Sequence, residues 1–297
     1  MILVLSLLAA TATATNLLLP LYSHPGPAAA SWSSVQSALA SRPSLPATVI
    51  INVDHGPGTV FSSNTSVWEA DDWLAGAQAL ANLPNVSLLG YVHILRCDRA
   101  LADVKADVDT WTRWRDEQNI PLSGIFVDEA PNDANACSCY LSSLNGHIRE
   151  VADLPAVVWN PGFPATPNAL EGYYTRLEPT FVAALETCWT TTSNGQDLCS
   201  GNYTIYDSGG YGTTVDATLR EWVGEANYPK TAILVHGFHT SNGRYNASRG
   251  SLLGAVEAVV DRDIGAAAFT TNHWITPDTG PADIQTFASV LDQVNGI

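Results

Sequence analysis

Short, nearly unbroken apolar runs recur along the whole chain. They are NLLLPLYS (16–23), TVIINVD (48–54), VSLLGYVHI (86–94), GIFVDE (124–129), AVVWN (156–160), TFVAALE (180–186), TAILVHGF (231–238) and AAAFTTN (266–272). Runs of this kind, rich in β-branched and aromatic residues, predict strands buried on both faces. Between them the spacing of apolar residues changes to three and four. Leu101, Val104, Val108, Trp111 and Arg115 mark one helix, with Asp103, Asp107 and Asp109 left on its solvated face. Leu141, Leu144, Ile148 and Val151 mark a second. Leu219, Trp222 and Val223, then Leu252, Val256, Val259 and Val260, then Ile284, Phe287 and Leu291, mark three more. The stretch 163–179 fits a helix least well.

Eight strands alternating with helical segments predict an α/β fold, a single (β/α)8 TIM barrel over residues 15–297, with a doubly wound open sheet as the alternative. The eight units fill the chain and leave no block for a second domain. Residues 1–14, MILVLSLLAATATA, read as a signal peptide ending in the small-residue pattern Ala12-Thr13-Ala14, although no Lys or Arg precedes the apolar run. Asn64, Asn85, Asn202 and Asn246 each begin a glycosylation sequon, in keeping with a secreted, extracellular or cell-wall protein. No other apolar run approaches the length of a membrane span.

A formal net charge of −16 repels nucleic acid and anionic membranes, so neither is an expected partner. It suits solubility in an acidic setting, or a neutral or cationic substrate. A monomer without cofactor is expected. Of the five cysteines, Cys188 and Cys199 lie close enough in sequence to pair, and Cys97 falls near Cys137 or Cys139 across adjacent strands, leaving one thiol over. CSC is too tight and isolated for a zinc site, and His236-x-x-His239 reads as polar lining rather than a metal site.

Barrels of this type work at the C-terminal ends of their strands. Polar residues gather there: His24, Asp54, Tyr91, His93, Asp128, Glu129, Asn160, Glu186, His236, His239, Asn272 and His273. Asp128 and Glu129 close the fourth strand and Glu186 the sixth, so carboxyl groups are expected to face each other across the mouth. Two such groups flanking a sugar are the equipment of a glycosidase. Neighbouring residues on a strand point to opposite sides, so one of Asp128 and Glu129 should enter the pocket and the other reach over the rim. The structural alternative for the pair is a salt bridge to Arg96 or Arg99. No H-E-x-x-H, G-x-S-x-G or P-loop is present.

Five blocks in order, LLLPLYSHPG, VIINVDHGPG, LLGYVH, GIFVDEAP and VVWNPG, resemble the spherulin 4-like, spherulation-specific proteins. The hydrolytic members of that family form glycoside hydrolase family 135, fungal enzymes that cleave α-1,4-linked N-acetylgalactosamine in galactosaminogalactan. The resemblance implies a (β/α)8 barrel and functional acids at Asp128, Glu129 and Glu186. VDEAP matches directly, whereas ETCWTTT around Glu186 is less characteristic, and CSCY after the fourth strand has no counterpart in the family pattern. A secreted, endo-acting glycoside hydrolase on an aminosugar polymer is therefore expected. Asp128 would serve as nucleophile or base, Glu186 as general acid and Glu129 as a supporting acid. Asp54, Tyr91, His93, Asn160, Trp189 and His236 are candidate substrate contacts. The competing class is a non-catalytic carbohydrate-binding or wall and spore structural protein using the same groove.

Overall fold

The computed structural model describes residues 14–58, 67–163, 165–189, 192–193, 196–197, 206, 219–220, 222–238, 249–270 and 284–297. Eight parallel strands close on themselves: β1 (Asn16–Leu21), β2 (Ala47–Ile51), β3 (Val86–His93), β4 (Leu122–Asp128), β5 (Ala156–Trp159), β6 (Phe181–Cys188), β7 (Thr231–His236) and β8 (Ala266–Phe269). Each pairs with its neighbours in chain order, and β8 returns to β1 through Asn16 and Leu17. The described helices are α1 (Ser33–Ala40), α2 (Val67–Ala81), α3 (Leu101–Gln118), α4 (Ser138–Gly146), α5 (Glu171–Arg176), α6 (Arg249–Val260) and α7 (Ile284–Asn295). The protein is a (β/α)8 TIM barrel.

Strands buried on both faces need two apolar layers, and both are present. Leu18, Ile50, Leu89, Phe126, Val158, Ala183, Ala232, Leu234 and Ala268 fill the barrel interior. Their neighbours Leu17, Leu19, Val49, Ile51, Ile125, Val127, Val157, Ile233 and Val235 face the helices. Each fully buried Val, Leu, Ile or Phe among them contributes roughly 1.5–3 kcal/mol. The helices meet the outer layer with the residues spaced by three and four: Val104, Val108, Trp111 and Trp114 of α3, Leu252, Val256 and Val259 of α6, and Ile284, Phe287 and Leu291 of α7 are all buried.

Two irregularities in strand register decide what reaches the mouth. Between β3 and β4 the partners jump from Leu88↔Leu122 to Leu89↔Gly124, so Ser123 is an extra residue. Between β6 and β7 they jump from Ala183↔Ala232 to Leu185↔Ile233, so Ala184 is extra. A bulge of this kind shifts the alternation by one residue. Ala183 faces the interior, Ala184 and Leu185 face the helices, and Glu186 again faces inward beside Leu234. Without the bulge, Leu185 would take the inward position. Gly124 lies against β5 with no room for a side chain: a Cβ there would lie 1.8 Å from the Ala156 carbonyl oxygen.

Three expectations change. Val151, placed on the buried face of α4, is 69% exposed, because α4 stops at Gly146 and continues as a single π turn, His147–Val151, which breaks the spacing. The ends of β4 and β6 do not oppose each other across the mouth, because only β5 separates them on one arc. Asn85 opens a sequon, yet its Nδ2 donates to the carbonyls of Leu39, Arg42 and Leu45 at 3.3, 3.0 and 2.8 Å, and its Oδ1 is buried. It closes the turn after α1 and has no free amide for a glycan. Asn64, Asn202 and Asn246 lie outside the described residues, as do Cys199, His239, Asn272, His273 and residues 1–13 of the expected signal peptide.

Candidate active site

Five strands in succession each send one polar side chain into the mouth: Tyr91 from β3, Asp128 from β4, Asn160 just past β5, Glu186 from β6 and His236 from β7. They form an unbroken chain of hydrogen bonds. The Tyr91 hydroxyl donates to Asp128 Oδ2 at 2.7 Å. Asn160 Nδ2 donates to Asp128 Oδ1 at 2.7 Å and to Glu186 Oε2 at 2.8 Å. His236 Nε2 lies 2.7 Å from Glu186 Oε1. The orientation of the Asn160 amide is fixed from its other end, where Oδ1 accepts from the Gly162 N–H at 3.0 Å. Gly162 can do this because it turns at φ 72, a left-handed conformation that suits glycine, and its carbonyl in turn accepts from the Glu186 N–H at 2.6 Å.

One nitrogen therefore holds two carboxylates. Oxygens at 2.7 Å and 2.8 Å from the same atom lie at most about 5.5 Å from each other. Two negative charges this close in a partly buried site repel each other. Burial, first, and the charge of Glu186, second, push the Asp128 carboxyl up from 3.8 to about 6. The Tyr91 hydroxyl, the Glu129 backbone N–H and the Asn160 amide oppose that rise. Burial, reinforced by Asp128, holds the Tyr91 phenol far above its ordinary range, so it stays a donor. Tyr91 is wedged between Tyr22, whose ring centroid is 5.4 Å away edge-on, and Phe126, at 6.1 Å and nearly parallel. Trp111 fixes its backbone by donating from Nε1 to the Tyr91 carbonyl at 2.9 Å.

The salt-bridge alternative for the acid pair is not how Asp128 is held. Its side-chain partners are Tyr91 and Asn160, and Arg99 pairs with Asp107 at 2.7 Å. Glu129 is exposed and turns at φ 51, which carries the chain away from the strand direction. Its carbonyl accepts from the Arg96 N–H at 2.7 Å. Leu95, Arg96 and Cys97 also have positive φ, and this left-handed turn is tied to the β4 loop by a Cys97–Cys137 disulfide. Cys139 is free and exposed, and Cys188 is disulfide-bonded.

The remaining candidates sit apart from the hydrogen-bonded chain. His93 stacks on His55 of the β2 loop at 5.6 Å, and burial, then the charge of Arg99, lowers its pKa. Asp54 is exposed in the turn that the Asn52 side chain closes onto the Gly56 N–H at 3.0 Å. Trp189 packs against Phe238 at 4.4 Å and Tyr206 at 5.7 Å, in an aromatic cluster that continues to Phe269. Gly162 was not singled out in the sequence, although NPG following an apolar strand is a recognisable turn signal. Among the described residues, no group of three His, Cys, Asp or Glu side chains is placed to hold a metal ion.

A pair of carboxyl groups held on one bridging nitrogen at the barrel mouth can protonate one atom of a bound molecule while attacking another. Several solved barrels share the architecture. Sph3 of Aspergillus clavatus, solved in complex with GalNAc, superposes with a TM-score of 0.66 at 20% identity, over 94% of this chain and 98% of that one. A chitinase of Rhizomucor miehei superposes at 0.50 with 11% identity, over 95% of this chain and all of the other. These likenesses establish the (β/α)8 barrel fold. In sequence, Spherulin-4 of Physarum polycephalum is 32% identical over 155 residues, which cover 51% of this chain and 41% of that protein, so the match spans less than half the relative's length. The model of the spherulation-specific family 4 matches residues 16–294, nearly the whole barrel, and the chain belongs to that family.

Proposed function

We propose that the protein is a secreted, monomeric glycoside hydrolase that cleaves α-1,4-linked N-acetylgalactosamine within a galactosaminogalactan-type polymer. The observation that carries this reading is the single Asn160 nitrogen bridging Asp128 and Glu186 at the barrel mouth. It supports a glycosidase because it sets two carboxyl groups at a fixed, short separation on the face where such barrels bind substrate. Sph3, the relative in complex with GalNAc, supports the choice of sugar.

Asp128 is the nucleophile. Its carboxylate attacks the anomeric carbon while Glu186 protonates the departing glycosidic oxygen, and the electrons of the broken bond leave with that oxygen. Water then attacks the same carbon, gives its proton to Glu186 and releases Asp128. The gap of no more than about 5.5 Å between the nearest oxygens matches the separation that suits a covalent, retaining route, and leaves little room for the intervening water of an inverting one. Glu129, exposed beside the pocket, adds negative charge near Tyr91 and His93.

The test is incubation of the purified protein with galactosaminogalactan, followed by mass spectrometry of released oligosaccharides. Products should be N-acetylhexosamine oligomers, absent with Glu186→Gln. Saturable binding without any product would leave the carbohydrate-binding reading in its place.

A further inference from the structure

Resting on that reading, two further side chains in the mouth indicate where the polymer continues beyond the attacked sugar. β3 alternates regularly after its bulge. Leu89 and Tyr91 face the interior, Val92 faces the helices, and His93 is inward again, one step further out than Tyr91. The Tyr91 and His93 rings are neighbours, with centroids 6.4 Å apart. In the strand register His93 lies beside Asp128. On its other side the β2 loop brings in His55, whose ring is 5.6 Å away with the two planes 25° apart. His55 reaches this place because its loop closes on itself. Asn52 Oδ1 accepts from the Gly56 N–H at 3.0 Å, the Gly56 carbonyl accepts from the Val53 N–H at 3.0 Å, and His55 turns at φ 50. His93 is fixed through its backbone. Arg99 Nη1 donates to the His93 carbonyl at 3.2 Å, and Nη2 pairs with Asp107.

Tyr91, Asp128 and Asn160 engage one another, and the two imidazoles do not join them. Among the described residues neither ring has a hydrogen-bond partner. His55 is exposed, and the ring nitrogens of half-buried His93 are open to solvent. An imidazole nitrogen donates or accepts, and a sugar hydroxyl does both. Burial and the Arg99 charge lower the pKa of His93, which favours an uncharged ring and a neutral ligand. We propose that the stacked His55–His93 pair is a sugar-binding plate, the subsite for the N-acetylgalactosamine unit next to the attacked one on its non-reducing side. The side follows from the order of the strands. Glu186 on β6 protonates the departing oxygen, so the departing half of the polymer lies at that end of the mouth. His93 on β3 and His55 after β2 lie beyond Asp128, and β2 stands diametrically across the barrel from β6. Neighbouring strands are about 4.8 Å apart, so the plate begins one strand spacing from the nucleophile, within reach of the next ring of the retained chain. The sugar contact expected of His93 thereby gains a place in the cleft, and His55 joins it.

Occupancy of the plate can be followed without turnover. Glu186→Gln protein carrying 15N-histidine, titrated with the α-1,4-linked N-acetylgalactosamine trisaccharide, should show saturable shifts of the His55 and His93 ring signals. Binding seen by calorimetry that leaves both signals in place overturns the proposal. Failure of the trisaccharide to bind overturns the proposal and the substrate reading together. Shifts at both histidines, with no cleavage by the unmodified protein, would remove the hydrolase reading and keep the plate. The kinetic arm uses aryl α-glycosides of one and of two N-acetylgalactosamine units, which differ in whether a sugar reaches the plate. The unmodified protein should favour the two-sugar glycoside. His55→Ala and His93→Ala should each lower the ratio of the two kcat/KM values about tenfold, chiefly through KM. His93→Gln, which keeps a donor and an acceptor, should recover most of that ratio. An unchanged ratio, or equal losses on both substrates, marks the pair as packing for the rim and refutes the plate.

Discussion

Replacing Asp128 with Asn should abolish hydrolysis and yet stabilise the fold, with a pH dependence that reveals the cause. In the folded protein the carboxyl is raised from 3.8 to about 6, foremost by burial. An acid whose folded pKa is raised binds its proton more tightly when folded, so the contribution of Asp128 to wild-type stability is greatest below about pH 4 and declines as pH rises through the interval to 6. At 1.36 kcal/mol per unit, a rise of about two units amounts to ~3 kcal/mol by pH 7.5. Asn does not titrate, so the variant escapes this loss. It forfeits one acceptor oxygen, and the Tyr91 hydroxyl or the Asn160 amide then lacks its partner, which costs about 1–1.5 kcal/mol at every pH. Asp128→Asn is therefore expected to be less stable than wild type by ~1 kcal/mol at pH 4 and more stable by ~2 kcal/mol at pH 7.5. Urea unfolding followed by tryptophan fluorescence at a series of pH values measures both. A stability difference of constant size and sign across that range would refute the placement of a buried, charge-repelled carboxyl at this position.

Three further expectations bear on separate parts of the molecule. If the short carboxylate gap sets the route, the first-formed product should carry the α anomer, and 1H NMR during early hydrolysis should detect it before mutarotation. Initial release of the β anomer would contradict that geometry. Gly124→Ala should destabilise the barrel by ~3 kcal/mol or more, because the added carbon meets the Ala156 carbonyl rather than a side chain that can move; thermal unfolding within 2 °C of wild type would disprove the close approach. Glycopeptide mapping of protein from a secreting host should find Asn85 unmodified, and Asn85→Asp should lose ~2–3 kcal/mol by leaving three carbonyls without their donor.

The barrel was legible because strands covered on both faces cannot alternate, and helices lying on them must. That contrast survives in the sequence wherever packing is regular. It failed at Val151, where a π turn interrupts the helical spacing. The positions of Asp128, Asn160, Glu186 and His236 were legible from a simpler regularity: polar residues at one end of otherwise apolar strands. Their relations were not. Asn160 is 32 residues from Asp128 and 26 from Glu186, and His236 is 50 from Glu186, so only closure of the barrel brings them together. The inward aim of Glu186 depends on a bulge at Ala184, and an apolar run such as FVAAL carries no mark of which residue is the extra one. The packing of Trp189 was not legible either. A tryptophan after a strand suits sugar stacking by composition, whereas here its ring lies against Phe238 and Tyr206.

The chain of side chains from Tyr91 to His236 joins five neighbouring strands at the level where backbone pairing ends, β4 at Asp128 and β7 at His236. It acts as a partial hoop around the open end of the barrel. A hoop made of titrating links is tight in some protonation states and slack in others. In the proposed mechanism a proton leaves and returns to Glu186, one link of this belt, so each turnover should momentarily loosen and retighten the barrel's rim. Fraying of the strand ends and the chemical step would then share one set of bonds. Amide hydrogen exchange at the last residues of β3 through β7 should follow the protonation of the acids, while the same strands at their opposite ends remain indifferent to it.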